Sequence, residues 1–166
     1  MARIAFVDIE ASGLGPASYP IEIGLALSTG GPPDARLVRP AAHWTFWDPD
    51  AERLHGISRE TLLEHGTPLT EVAAWLRDRL DGVPVYLEHA EDFGWLQTLL
   101  AVAGSDWRPA MHQAKPLIEA QALRRNHTLA QLRAAVWQRH AAHNPRHRAG
   151  PDAAFLRDLY RAACRA

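Results

Sequence analysis

The sequence predicts an α/β domain built on a mixed sheet that is flanked by helices. Residues 4–10, 21–27 and 35–39 are typical of strands joined by short links, and such a run favours an antiparallel meander. Residues 68–80 place apolar side chains at a helical period, and residues 83–87 return to a strand pattern. Because a strand, a crossover helix and another strand follow one another, we expect a mixed sheet with helices packed on it.

Further helices are predicted from capping residues and from apolar spacing. Residues 105–118 show no clear pattern beyond a short strand before Glu119. The residues at which the predicted helices begin are, in chain order, Asp48, Ser58, Thr67 (as the cap of a helix whose first residue is Pro68), Glu91 or Asp92, Thr128 and about Pro151.

Length and composition indicate one globular domain covering residues 1–166. The chain is 47% apolar, enough for a sizeable core, and it has no low-complexity segment. Its single cysteine, Cys164, excludes an intramolecular disulfide and a multi-cysteine metal site. The apolar run after Arg3 is too short for a signal peptide, and no segment has the length of a membrane span. We therefore expect a cytoplasmic protein.

Charge is distributed unevenly along the chain. Residues 1–114 hold 8 arginines against 16 acidic residues, whereas residues 115–166 hold 10 basic residues against 3 acidic ones. An acidic part beside a basic part suits a metal site next to a phosphate-binding surface. The alternative is that the two parts fold against each other and their charges partly cancel.

The first predicted strand carries two carboxylates near its C-terminal end. Asp8 and Glu10 are two residues apart, so they project from the same face of the strand. Two like charges so close on a core strand are costly unless a cation lies between them. A divalent metal is the simplest explanation; the alternative is a strand whose tip has reached solvent.

Two more motifs carry metal-ligating residue types. Asp92 lies at the start of a predicted helix, directly after a strand, where an Asp is more often a helix cap than a ligand. His147 and Asp152 flank the start of the last helix in the spacing His-x4-Asp. Each of these features alone is ordinary. The occurrence of the Asp8/Glu10 pair, Asp92 and the His-x4-Asp motif in this order within one small domain is a far more specific signal of function than any one of them.

In these motifs the chain resembles the DEDDh (DnaQ-like, ribonuclease T-like) 3′→5′ exonucleases. The family's first motif matches residues 8–14 and 21–24, its third motif matches residues 147–153, and residues 54–58 resemble a His-Gly-Ile segment between them. The resemblance covers essentially the whole chain. It implies a ribonuclease H-like fold, with a mixed five-stranded sheet flanked by helices, and a single exonuclease domain over residues 1–166.

The second motif departs from the family pattern. Asp92 is the best match, because the residues after it continue like the family's helix. Glu88 replaces the usual Asn, and the aromatic residue, Phe93, follows the Asp instead of preceding it. Glu91 is a weaker candidate for this position, and Glu88 is expected to lie close to the site.

The resemblance implies hydrolysis of a phosphodiester with two divalent metal ions, Mg²⁺ or Mn²⁺, which suits oxygen ligands without cysteine. Asp8, Glu10 and Asp152 would hold the metal pair, and Asp92 would support the second metal directly or through water. His147 would be the general base, a role suited to imidazole because it exchanges protons near neutral pH.

The loop after the first motif is expected, by resemblance, to hold the 3′-terminal nucleotide. Backbone groups of Ala11 and Ser12 would meet the terminal hydroxyl, and Leu14 would wedge against the last base; the alternative for Leu14 is a core position. Trp47 is a candidate for stacking on a base, and Arg148 for a phosphate contact. Trp44, Phe46 and Trp95 are further candidates for stacking, and Arg124, Arg125 and Arg146 are further candidates for phosphate contacts.

The sequence therefore predicts a metal-dependent 3′→5′ exonuclease acting on single-stranded nucleic acid, RNA or DNA, with a free 3′ end. The alternative from another class is a catalytically inactive nucleic-acid-binding or interaction module on the same fold, for which the altered second motif is the only support. An endonuclease of ribonuclease H type would share the fold and the acids but would not explain the His-x4-Asp motif. The oligomeric state stays open, although small relatives often form homodimers.

Overall fold

Five strands form one mixed sheet in the computed structural model, which describes residues 3–140 and 147–165. Strands β1 and β2 and strands β2 and β3 pair antiparallel, whereas β4 lies parallel to both β1 and β5. The predicted mixed sheet is confirmed. The strands are β1 Ala5–Ala11, β2 Pro20–Leu27, β3 Asp34–Leu37, β4 Val85–Leu87 and β5 Met111–Gln113, in the order β3-β2-β1-β4-β5.

Helices cover both faces of this sheet, and seven lie within the described ranges. None of those seven is both long and apolar enough to span a bilayer. The helices are α1 Pro49–His55, α2 Arg59–His65, α3 Leu69–Leu80, α4 Ala90–Val102, α5 Ala114–Leu123, α6 Leu129–His140 and α7 Ala149–Arg165.

Helix α5 is missing from the sequence-based prediction, which placed only a short strand in this region. The strand exists as β5, and α5 follows it without an intervening loop. The buried positions of α5 are Ala114, Ile118 and Ala122, spaced four apart. Two of these three are alanines, so the apolar stripe is too weak to stand out in the sequence.

The predicted cap of α3 is wrong by one residue. Pro68 is the N-cap and Leu69 the first helical residue, with no side-chain cap. Thr67 instead pairs with the strand edge: its N–H donates to the carbonyl of Leu37, and its carbonyl accepts from the N–H of Arg39. The predicted caps Asp48, Ser58 and Thr128 are confirmed, since each side chain accepts a backbone N–H of the first helical turn.

The two faces of β1 serve two separate hydrophobic clusters. Val7 and Ile9 pack into a cluster with α3 and α4, whereas Phe6 packs into a cluster with α5, α6 and α7. Because side chains alternate along a strand, Asp8 and Glu10 lie on the same face as Phe6. The predicted metal ligands of β1 therefore face helix α7.

Candidate active site

Asp8 and Glu10 occupy the C-terminal half of β1, and both are partly buried. In the antiparallel register with β2, Asp8 lies opposite Gly24 and Glu10 lies opposite Glu22. Residues opposite each other project to the same face of the sheet. This face therefore carries three neighbouring carboxylates where β1 meets β2.

Gly24 lets helix α7 approach this face very closely. A Cβ atom at position 24 would lie 2.1 Å from the backbone carbonyl carbon and oxygen of Ala149. Further along, Ala153 and Ala154 pack against Ala26 of β2. Only small residues permit this contact, and it places the first turn of α7, which contains Asp152, against the strand that pairs with Asp8.

Glu22 ties the segment before α7 to the sheet. Its side chain is 3% exposed and accepts hydrogen bonds from Nε and Nη2 of Arg148, at 2.5–3.2 Å, and from the backbone N–H of Ala149, at 2.9 Å. His147, the residue before Arg148, has a positive φ of 51°, which is uncommon for a residue with a side chain. The Glu22–Arg148 pair therefore anchors the chain beside His147.

Asp92 reaches the same site from the other side of β1. It lies in the first turn of α4, is 1% exposed, and its Oδ2 accepts the backbone N–H of His89 at 3.0 Å. Asp92 thus serves as part of a helix capping box, and it lies close enough to Asp8 and Glu10 for its charge to raise their pKa values. Glu88, which precedes this turn, pairs with Nη1 of Arg133 at 2.8 Å, whereas Glu91 is exposed.

The acids form one electrostatic cluster. Burial raises the pKa of Asp8 well above its usual range, and repulsion from Asp92, Asp152, Glu10 and Glu88 raises it further. Burial raises the pKa of Glu10 to about 7, with repulsion from Asp152 as the next cause. Burial likewise raises the pKa of Asp92 to about 6 and raises that of Asp152. Burial is thus the largest cause of all four raised pKa values, and repulsion among the predicted carboxylates adds to it at Asp8 and Glu10.

This donor set fits a divalent cation. Glu10, His147 and Asp152 each offer one ligand atom, and the three atoms lie within 4.8 Å of one another. Carboxylate oxygens are the ligands that Mg²⁺ and Mn²⁺ prefer, and the mutual repulsion of the acids would be relieved by a cation. His147, predicted as a base, therefore has a ring nitrogen close enough to carboxylate oxygens of Glu10 and Asp152 to share a cation with them.

The loop after β1 divides into an exposed and a buried part. Leu14 is 74% exposed and does not belong to the core. Ser12 is fully buried: its N–H donates to the carbonyl of Tyr19, its hydroxyl accepts the N–H of Tyr19, and its carbonyl accepts from Asp48. Ala11 is also buried. These hydrogen bonds hold the loop together and leave no polar group of Ser12 exposed, and its predicted contact with a substrate stays a prediction.

The aromatic candidates take different positions. Trp44 is 7% exposed and stacks on Tyr19, so it belongs to the core. Trp47 is partly buried, with its Nε1 donating to Glu52 at 2.5 Å, and Trp95 donates to Ser18 at 2.9 Å. Phe46 is 37% exposed and lies beside the loop that carries Leu14.

The arginines predicted to bind phosphates lie in different surroundings. Nε and Nη2 of Arg148 are taken up by Glu22. Arg124 and Arg125 are exposed at the end of α5. Arg146 falls outside the described residues, so its predicted contact stays a prediction.

His55 is a residue of this site whose role sequence reasoning missed. It is 5% exposed, its Nδ1 accepts the N–H of Ile57 at 3.1 Å, and its ring lies edge-on to Trp47. Burial lowers its pKa, so the ring is neutral with its proton on Nε2. Within the described part of the chain, this buried Nε2 has no hydrogen-bond partner. The only sequence signal was the His-Gly-Ile segment.

Comparison with known proteins supports the fold. No protein-family model and no curated protein matches the sequence. Solved structures do match: exonuclease I from Methylocaldum szegediense has a TM-score of 0.59 at 18% identity, over 75% of this chain and 30% of that chain. E. coli exonuclease I in complex with a dA16 oligonucleotide has a TM-score of 0.59 at 16% identity, over 74% of this chain and 29% of that one.

A zinc-bound form of the E. coli exonuclease I–single-stranded DNA complex also matches, with a TM-score of 0.59 at 16% identity, over 74% of this chain and 29% of that chain. This chain thus spans about 30% of the length of these exonucleases. At such identity the likeness shows the fold alone. The predicted ribonuclease H-like fold is confirmed by it.

Proposed function

We propose that this chain is a metal-dependent 3′→5′ exonuclease that hydrolyses phosphodiester bonds of single-stranded nucleic acid, RNA or DNA. The observation that carries the proposal is the cluster of Asp8, Glu10, Asp92 and Asp152, all of whose pKa values are raised by burial, with repulsion from the other acids adding to the rise at Asp8 and Glu10. The fold shared with exonuclease I, which has been solved with single-stranded DNA, favours a nuclease over other metal-dependent hydrolases.

The four carboxylates would hold two divalent cations, Mg²⁺ or Mn²⁺. When bound, such ions supply an activated water and stabilise the leaving oxygen. Backbone hydrogen bonds fix two of the carboxylates in place, since Asp92 accepts the N–H of His89 at 3.0 Å and Asp152 accepts the N–H of Arg148 at 3.2 Å. Rigid ligands keep the donor geometry without reorganisation.

His147 is the proposed general base. Its imidazole is exposed and lies at the edge of the cluster, so a ring nitrogen can take the proton of the attacking water and release it to solvent. The neighbouring Glu22–Arg148 pair holds the backbone that carries this ring. A general base must exchange its proton with solvent, and a position at the edge of the cluster allows this exchange.

The 3′-terminal nucleotide is proposed to lie against the loop after β1. Leu14 and Phe46 offer exposed apolar surface there, suited to the face of a base. Trp47, which contacts His55, shapes the same part of the site.

The test is degradation of 5′-labelled single-stranded RNA and DNA with Mn²⁺ or Mg²⁺. The expected result is a ladder that shortens from the 3′ end and is lost in Asp8→Asn, because that variant removes one charge from the cluster. Asp78→Asn, an exposed carboxylate on α3, is the matched control and should cleave as the wild type does. Comparison of the cleavage rates on RNA and on DNA shows whether the enzyme prefers ribose or deoxyribose.

Two outcomes would contradict the proposal. Cleavage of a 3′-blocked strand at the same rate would indicate an endonuclease. Binding of both strands without metal-dependent cleavage would indicate the inactive binding module, and Glu88→Asn would then test whether the altered second motif is the cause.

A further inference from the structure

The loop between β1 and β2, which carries Leu14, is closed at its base and at its tip. At the base, the N–H of Ser12 donates to the carbonyl of Tyr19, and the N–H of Tyr19 donates to the hydroxyl of Ser12. At the tip, the carbonyl of Gly15 accepts both the N–H and the hydroxyl of Ser18, at 3.1 and 2.6 Å. Leu14 therefore lies between two hydrogen-bonded points of the loop.

A tryptophan of α4 links the tip of this loop to the core. Nε1 of Trp95 donates to the hydroxyl oxygen of Ser18 at 2.9 Å, between residues 77 positions apart in the chain. The same hydroxyl donates onward to Gly15, so two successive hydrogen bonds run from the helix to the turn after Leu14. The ring of Trp95 is partly buried and packs against the hydrophobic cluster of β1, α3 and α4. The tip of the loop is thereby tied to a side chain that the core holds in place.

Helix α4 also carries one of the acids of the cluster. Asp92 lies three residues before Trp95, so both side chains project from the same side of the helix. Asp92 accepts the N–H of His89 at 3.0 Å, which fixes its carboxylate, and the helix packs on β1, which carries Asp8. One rigid element thus holds both a proposed metal ligand and the anchor of the loop.

The loop and the acids would engage one nucleic-acid strand at two points. In the proposed exonuclease the terminal base lies against Leu14, while the scissile phosphate lies at the metals held by Asp8 and Asp92. A loop that moved freely relative to the acids would have to be ordered each time a terminal nucleotide bound, and this cost would weaken binding. The hydrogen bonds of Trp95 and Ser18 order the tip of the loop before the nucleotide arrives.

We propose that Ser18 and Trp95 are positioning residues, which hold the loop of Leu14 at the spacing from the metal-binding acids that a 3′-terminal nucleotide requires. The inference rests on the proposed exonuclease function and deepens it, because it names the pair that fixes the terminal-base site. Neither side chain has to touch the substrate, since the indole N–H is donated within the protein and the ring packs on the core. The role proposed for Trp95 is therefore support of the loop and not the base stacking that the sequence suggested.

The test compares two single-stranded hexanucleotides in the first cleavage step, one intact and one with an abasic unit at its 3′ terminus. In the wild type the abasic unit should raise KM about fivefold or more, because the contact of the terminal base with the loop is lost. In Ser18→Ala, which removes the acceptor of Trp95, KM for the intact strand should rise about two- to tenfold, the effect of one hydrogen bond. KM for the abasic strand, and kcat for both strands, should stay close to the wild-type values.

Trp95→Phe should reproduce this result, since it keeps an aromatic ring and removes the indole N–H. The double variant should be no worse than either single variant, because both changes remove the same hydrogen bond. Ser18→Thr, which keeps a hydroxyl, should keep the wild-type KM for the intact strand. Trp75→Phe is the matched control: Trp75 is a partly buried tryptophan of α3 whose Nε1 donates to Asp34 at 3.2 Å, and its loss should leave both KM values unchanged.

Equal rises in KM on both strands in Ser18→Ala and Trp95→Phe, or no rise on the intact strand, would overturn the positioning role while leaving the exonuclease intact. Additive effects in the double variant, or equal KM values for the two strands in the wild type, would overturn it in the same way. Absence of cleavage by the wild type would overturn the exonuclease itself, and the positioning role with it.

Discussion

Two kinds of buried carboxylate meet in this site, and they differ in what stabilises them. Glu22 is satisfied inside the protein, by the guanidinium of Arg148 and the N–H of Ala149. Within the described ranges, Asp8 and Glu10 have no such cation close by, apart from the weaker influence of Arg148 on Glu10. Burial of unpaired charge is costly, so the first is a structural anchor and the others are suited to binding a cation.

Glu22→Gln tests the anchor. Loss of the ion pair should lower the free energy of unfolding by roughly 1–3 kcal/mol, since Arg148 is partly exposed and can be hydrated. Turnover should fall about tenfold with little change in KM, because the backbone at His147 loses its support. The measurements are denaturant unfolding and steady-state kinetics, with the exposed Glu71→Gln as control.

If Glu22→Gln lowered stability but left kcat unchanged, the pair would serve the fold alone and not the position of His147.

His147→Ala separates a base from a ligand. Loss of a general base should lower kcat roughly 10²- to 10⁴-fold. Four carboxylates remain, so the affinity for Mn²⁺, measured by calorimetry, should change far less than turnover. The exposed His65→Ala is the control. A fall in Mn²⁺ affinity as large as the fall in kcat would make His147 a metal ligand, which its distance to Glu10 and Asp152 permits.

At the scale of elements, the site depends on how closely α7 packs against β2. The sheet supplies Asp8 and Glu10, but Asp152 joins them only because no side chain separates Gly24 from Ala149. The long register between β1 and β2 fixes Gly24 opposite Asp8. A change at this contact should therefore affect the site as a whole and not one ligand.

Gly24→Ala should disrupt this packing, because its Cβ would meet backbone atoms of α7 at about 2 Å. We expect a loss of roughly 2 kcal/mol or more in stability and a marked loss of Mn²⁺ affinity. Gly94→Ala is the matched control: it lies inside α4, and a Cβ added there would have no described atom within 4 Å apart from its chain neighbours and the backbone of its own helix. The control should raise stability by up to about 1 kcal/mol. Thermal unfolding with and without Mn²⁺ measures the stability and the Mn²⁺ affinity of each variant. A Mn²⁺ affinity of Gly24→Ala equal to that of the wild type would contradict the proposed role of this contact in positioning Asp152.

For the whole molecule, the acidic cluster makes stability depend on pH and on metal. The raised pKa values of Glu10, about 7, and Asp92, about 6, mean that the folded state binds protons more tightly than the unfolded state. Without metal, the stabilisation from protonated acids is complete below about pH 4 and is lost as pH rises through about 6 to 7.

We therefore expect the Tm of the metal-free protein to fall by roughly 5–10 °C between pH 5 and pH 8 from this cluster. Added Mn²⁺ should raise Tm at pH 8 and do little at pH 5, where protons occupy the same oxygens. In Asp8→Asn both effects should be smaller. A Tm that rises with pH in the metal-free protein, or that Mn²⁺ leaves unchanged at pH 8, would contradict this view.

Local sequence patterns predicted the mixed sheet, most of the helices and the acids of the candidate site. These follow from local patterns: alternation along β1 places Asp8 and Glu10 on one face, and the spacing from His147 to Asp152 marks the start of α7.

Which polar side chains find a hydrogen-bond or ion-pair partner depends on contacts between segments that are far apart in the chain. Glu22 and Arg148 are 126 residues apart, and Glu88 and Arg133 are 45 apart, so no local spacing reveals either pair. The same holds for the Nε2 of His55, unpartnered among the described residues, and for the burial of Ser12 and Trp44. Hydrogen bonding and burial depend on neighbours that the fold brings together, whereas periodicity depends only on the chain itself.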